Sequence, residues 1–143
     1  MRIAIAVLAD AANAREGLIN VLAAGINRLA RPQYPAPMAA QLVLLAELSV
    51  ADVAGSDGFE VDVRIQGPDG SEVARAEAQI GYDSQVAVES GKAVHVPLVL
   101  DLSNALMPEP GTYQISAQFG SLGGTSFEFY METTPVAVEA VGA

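Results

Sequence analysis

From Phe59 onward the chain alternates apolar and polar residues with a period of two, and this pattern limits the fold more than any other feature. Phe59, Val61, Val63 and Ile65 alternate with Glu60, Asp62, Arg64 and Gln66. After Gly67-Pro68-Asp69-Gly70, Ala74, Ala76, Ala78 and Ile80 alternate with Arg75, Glu77 and Gln79. Successive side chains of a strand point to opposite faces, so each run predicts a half-buried strand and the pair predicts a hairpin. Pro68 presets φ for the turn and Gly70 accepts a positive φ. The same phase recurs in Val94, Val96, Leu98, Leu100 and Leu102, then in Tyr113, Ile115, Ala117 and Phe119, and then in Phe127, Phe129 and Met131. The expected fold is all-β: an antiparallel β-sandwich of about eight strands, Ig-like or C2-like, whose two sheets pack over inward Val, Ile, Leu, Phe and Tyr. Residues 1–132 are read as one domain. Residues 133–143, with Pro135 before Val136 and Val138, are read as a tail or a short edge strand.

The first fifty residues carry a different pattern. Ile3 to Leu8, Leu18 to Leu29 and Leu42 to Val50 are apolar in both phases. Length and alanine content would allow a helix over Arg15 to Arg31. Gly17 and Gly25 argue against it, since each costs a helix about 1 kcal/mol relative to Ala, whereas Gly25 in a strand marks a bulge or bend. We therefore expect strands, and strands apolar on both faces must be covered on both, within the fold or by another copy. The expected interface residues are Ile19, Val21, Val43 and Leu45 in the N-terminal strands, with Val136 and Val138 adding an edge to a neighbour. The expected partner is a protein, the chain itself as a homo-oligomer.

Charge removes other partners. The net charge is −10 and the acidity lies in the second half. Residues 1–50 hold four arginines against three carboxylates. Such a chain repels nucleic-acid phosphates and anionic membrane surfaces. No apolar run approaches the roughly 18 residues of a membrane span, and a mean hydropathy of +0.33 with 51% hydrophobic residues points to a buried core. There is no cysteine, hence no disulfide, no thiolate and no Cys-based zinc site. Ile3 to Ala9 followed by Ala12-Asn13-Ala14 imitates a secretion leader but is too short, and Asp10 interrupts it, so a cytoplasmic protein is expected. No repeat of 20 to 50 residues and no linker divides the chain.

Candidate chemistry is sparse. The single histidine, His95, is in phase with Pro97, Val99 and Asp101, and Asp101 lies roughly 20 Å along the same strand, too far to orient it. Glu60 and Asp62 share a strand side, but Arg64, Arg75 and Glu77 make a solvated ion-pair face the simpler reading. Asp52, Asp57 and Asp69 are loop carboxylates that could converge on calcium at one end of the sandwich, and the alternative expectation is a small-ligand or calcium-binding module that uses these acidic loops. Asp10, Asn13, Arg15 and Glu16 form a turn. Arg31-Pro32-Gln33-Tyr34-Pro35 is a rigid connector rather than a docking peptide. Gly120-Ser121-Leu122-Gly123-Gly124 reads as a hairpin loop and lacks the Lys-Ser of a phosphate cradle. The expectation is a non-enzymatic protein with no catalytic residue, no cofactor and no metal.

Leu8-Ala9-Asp10-Ala11-Ala12-Asn13, Glu16-Gly17-Leu18-Ile19-Asn20-Val21-Leu22, Gly25-Ile26-Asn27-Arg28-Leu29 and Tyr34-Pro35-Ala36-Pro37 follow one another in a distinctive order. They resemble the bacterial domain of unknown function DUF6941 over residues 1–50, with a weaker echo in Pro110-Gly111-Thr112-Tyr113. The sequence departs from the family pattern at Ala9, where Cys is frequent, and at Ala11, where an aromatic is frequent. The resemblance implies a compact β-rich fold and no activity.

Overall fold

The computed structural model describes residues 1–135. Two sheets pack face to face. The first has the order β2-β1-β5-β8, from β1 (Arg2–Arg15), β2 (Leu18–Ile26), β5 (Gln41–Leu48) and β8 (Val94–Asp101). The second has the order β3-β11-β10-β6-β7, from β3 (Arg28–Arg31), β11 (Gly123–Thr133), β10 (Gly111–Phe119), β6 (Gly58–Gln66) and β7 (Glu72–Gly81). A small ribbon pairs β4 (Ala36–Pro37) with β9 (Leu106–Met107). The all-β sandwich expected from the alternation is what the chain forms. The helix that length and alanine content allow over Arg15 to Arg31 is absent, and β2 and β3 occupy it. All pairs are antiparallel except β3 with β11, because the chain enters β3 directly from the other sheet.

The core lies between β5 and the strands opposite. Leu42, Leu44, Ala46 and Leu48 of β5 are fully buried. They belong to one cluster with Val61, Val63 and Ile65 of β6 and with Tyr113, Ile115, Ala117 and Phe119 of β10. The hairpin predicted from period two forms, with Phe59 opposite Ile80, Val63 opposite Ala76 and Ile65 opposite Ala74, and its register shifts between Ile65 and Gln66 next to the turn. The alanines of β7 leave room for the large side chains of its neighbour.

Two short helices were not expected. α1 (Val50–Val53) and α2 (Ser84–Ser90) carry the chain from β5 to β6 and from β7 to β8, and they touch each other. α1 starts with a capping box, in which the Ser49 hydroxyl accepts from the Asp52 N–H and the Asp52 carboxylate accepts from the Ser49 N–H. Asp83 caps α2 by accepting from the Val86 N–H at 3.1 Å.

The connector Arg31 to Pro37 is built into the domain. The Arg31 guanidinium donates to the carbonyls of Pro37 and Met38, and the Tyr34 hydroxyl donates to the Glu132 carbonyl at 2.6 Å.

Leu44→Ala should lower unfolding free energy by about 2–5 kcal/mol in a denaturant titration, because a fully buried side chain is removed from a packed seam. Leu106→Ala, at a position 59% exposed, should stay within about 0.5 kcal/mol of wild type.

Candidate functional site

β5 ends, on its Gln41 side, opposite Ala9 of β1. Beyond Ala9, β1 pairs with β2 alone, from Ala11 opposite Leu22 to Arg15 opposite Leu18. The β1–β2 hairpin therefore extends past the sandwich as a two-stranded arm. The register shifts between Leu8 and Ala9 because Gly25, at φ +86, is an extra residue on β2, as expected of a bulge there. An L residue is strained at that φ, which is why glycine stands at the root of the arm.

The arm is apolar and uncovered. Leu18 is 68% exposed, Leu22 64% and Val21 41%, and no residue of β2 is charged. Leu18, Asn20, Leu22 and Ala24 share one face with their partners Arg15, Asn13, Ala11 and Ala9. Ile19 and Val21 lie on the other face with Ala14 and Ala12. Asn20 donates to the Asn13 carboxamide oxygen across the pair at 3.0 Å. β2 is the edge of its sheet, so its outer row of amides and carbonyls has no strand partner among the described residues.

Of the expected interface residues, Val21 is exposed and Ile19 half-buried on this arm. Leu45 is half-buried on the outer side of β5. Val43 has no exposed surface, since it sits between Val7 and Val99 on the neighbouring strands. The second apolar phase of β5 is thus covered at Val43 within the fold, and this side chain offers nothing to a partner. Val136 and Val138 lie outside the described residues. Sequence reasoning missed Leu18 and Leu22. The signal was available: both are in phase with Asn20, and a polar residue marks the wetter face.

The candidate chemical sites separate. His95 is exposed at one end of β8, 3.7 Å from Glu47, while Asp101 closes the other end. Asp101 instead accepts from Ser103 and Gln41, which lowers its pKa. The ion-pair face of β6 and β7 forms as read: Asp62 bonds Arg64 and Arg75, and Arg75 also meets Glu77 at 2.9 Å. Partial burial pushes the Asp62 carboxyl up, but hydrogen bonds from Arg75 and Arg64 outweigh it and hold the pKa below the ordinary value. A shallow groove of about 690 Å³ runs along this face, with Asp62, Arg64, Gln66, Gln114 and Ser116 in its wall. Its charged groups are already paired.

The three calcium candidates do not converge. Asp57 precedes β6 and Asp69 follows it, so a strand of roughly 30 Å lies between them. Asp69 closes its own turn by accepting from Ser71, and Asp57 accepts from the Ser84 hydroxyl at 2.6 Å. Asp52 accepts from the Met1 α-amino group at 2.9 Å and from Ser49. These bonds hold its pKa at about 2. Asp52 thus serves a helix cap, Asp69 a turn and Asp57 a bond to Ser84, with Asp69 at the far end of β6 from the other two.

A family model described as a family of unknown function, DUF6941, matches residues 4–131. The chain belongs to DUF6941. The match covers nearly the whole sandwich, well beyond the resemblance over residues 1–50 and its echo at 110–113. No curated protein and no solved structure gives a match.

The Pro-Gly-x-Tyr element that this DUF6941 chain carries at 110–113 has a physical reason here. Gly111 has φ +144, and a Cβ there would stand 2.6 Å from the Pro68 ring. Tyr113, fully buried, stacks on Phe129 at 5.3 Å between ring centroids. Its hydroxyl donates to the Glu109 carbonyl at 2.5 Å, a bond to backbone four residues upstream like the tyrosine corner of Greek-key sandwiches. Burial raises the Tyr113 pKa.

Asp52 has a folded pKa near 2 against an ordinary 3.8, so its ionised form stabilises the fold at pH above about 4. That contribution is lost as pH falls from about 4 to about 2. Wild type should therefore lose more stability over that window than Asp52→Asn, and the two denaturation midpoints should draw together as pH approaches 2.

Proposed function

We propose that this DUF6941 chain is a non-enzymatic, self-assembling protein-association module whose contact surface is the β1–β2 arm. The observation that carries this reading is the exposure of Leu18, Val21 and Leu22 on a projecting hairpin whose outer strand has no charge. Scattered exposed apolar residues are ordinary, but an apolar sheet edge that projects from the body is what soluble chains otherwise blunt with Lys, Pro or a cover. Burying a Leu or Val side chain contributes about 1.5–3 kcal/mol, so a contact over several of them repays the ordering of the arm. The outer face of the first sheet continues the surface through Ile5, which is 37% exposed, and half-buried Val7, Leu45 and Val99.

The remaining surface fits the same reading. The net negative charge of the second half disfavours contact between copies there, whereas the outer strand of the arm carries no charge. A scaffold of this kind needs no catalytic residue and no cofactor, and its expected compartment is the cytoplasm. Its partner is a protein, the chain itself.

Two copies each carry a net charge of −10, so screening should favour their association. Light scattering across a concentration series should show a dimer or higher oligomer whose population rises with added salt. A monomer at every concentration and salt would end this reading.

A further inference from the structure

The structure carries a more specific statement, which rests on the self-association reading. We propose that two copies join by antiparallel pairing of their β2 edges about a two-fold axis at Asn20, making one continuous sheet across the dimer. A two-fold interface brings the same segment of each copy against itself, so the segment must read equivalently from both ends. Leu18-Ile19-Asn20-Val21-Leu22 does so: leucine at each end, a β-branched residue inside it and Asn20 at the centre.

This stretch is also the part of β2 able to accept a strand. Glu16 and Gly17, with φ +53 and +76, make a two-residue turn with both central residues at positive φ. In such a hairpin Arg15 and Leu18 exchange both backbone bonds, and so in alternation do Asn13 and Asn20. The backbone groups of Ile19 and Val21 then face the free edge. Past Leu22 the edge is broken, because Ala23 has φ +55 and Gly25 φ +86. The regular edge runs from Leu18 to Leu22 and is centred on Asn20.

Pairing in this register sets Leu18 against the partner's Leu22 and Ile19 against the partner's Val21. On one face, Asn13, Asn20, the partner's Asn20 and the partner's Asn13 form a row of four carboxamides. Asn20 uses one N–H on Asn13, and its second N–H and its oxygen are free to exchange bonds with the partner's Asn20. A polar group at the centre of an apolar contact fixes register, since any slip leaves the carboxamides without partners. No charge lies on either β2 edge, so two acidic chains meet there without apposing their carboxylates. These features together select a second copy as the occupant.

The absence of cysteine makes the register directly readable. At a non-hydrogen-bonded antiparallel pair the Cα atoms are about 4.5 Å apart, within disulfide range. Under mild oxidation Asn20→Cys should give a disulfide-linked dimer about tenfold faster than Asn13→Cys or Val21→Cys, since Asn13 is three strand spacings, about 14 Å, from its counterpart. Leu22→Lys should shift wild-type dimer to monomer in light scattering, with its circular dichroism spectrum unchanged and its unfolding midpoint, unlike that of wild type, independent of protein concentration. A wild-type dimer in which Asn20→Cys links no faster than Asn13→Cys would overturn the proposed pairing and leave self-association standing. A wild-type monomer up to several hundred micromolar would overturn both. A dimer that tolerates Leu22→Lys would place the contact away from β2 and likewise overturn the pairing.

Discussion

The apolar seam of β5 against β6 and β10 is the interaction on which the rest of the molecule depends. Leu42, Leu44, Ala46 and Leu48 give one side of the seam, and Val61, Val63, Ile65, Tyr113, Ile115, Ala117 and Phe119 the other. Because β5 is hydrogen-bonded to β1 on one edge and to β8 on the other, burying its inner row fixes the whole first sheet over the second. The length of β5 then decides where the sandwich stops. β1 runs six residues past its last pairing with β5, at Ala9, and takes β2 with it. The projecting arm is a consequence of two strands of unequal length meeting at one edge.

Legibility of the sequence follows from exposure. Where a strand is half-exposed, water imposes alternation, and the β6–β7 hairpin and its charged face could be read. Asp62 sits opposite Glu77 and Arg64 opposite Arg75, so the ion pairs run diagonally from Arg75 to Asp62 and along each strand from Arg64 to Asp62 and from Arg75 to Glu77. Where strands are apolar in both phases, the pattern predicts burial but not by what. Val43 is covered by its own sheet neighbours, while Leu18 and Leu22, no more apolar in composition, are left open on the arm. Their difference lies in strand length and sheet order, which are long-range properties that local periodicity does not encode.

The short helices escaped for another reason. Val50–Val53 and Ser84–Ser90 are too brief to show a 3.6-residue period, and only their caps, Ser49 with Asp52 and Asp83, announce them. The carboxylates tell the same story from the side of function. Asp52, Asp57 and Asp69 look alike as loop acids, yet each is engaged by a nearby hydroxyl or amine, and β6 holds Asp57 and Asp69 apart. Local hydrogen bonding accounts for them, whereas the uncharged edge of β2 has no internal partner among the described residues.

The association account turns on whether the outward amides of Ile19 and Val21 find a partner strand. Residue-resolved amide hydrogen exchange at low and high protein concentration reads this directly. The account predicts that exchange at Ile19 and Val21 slows with concentration, while amides of β6 and β10 in the seam stay unchanged. Exchange at those two amides that remains fast and independent of concentration would contradict it.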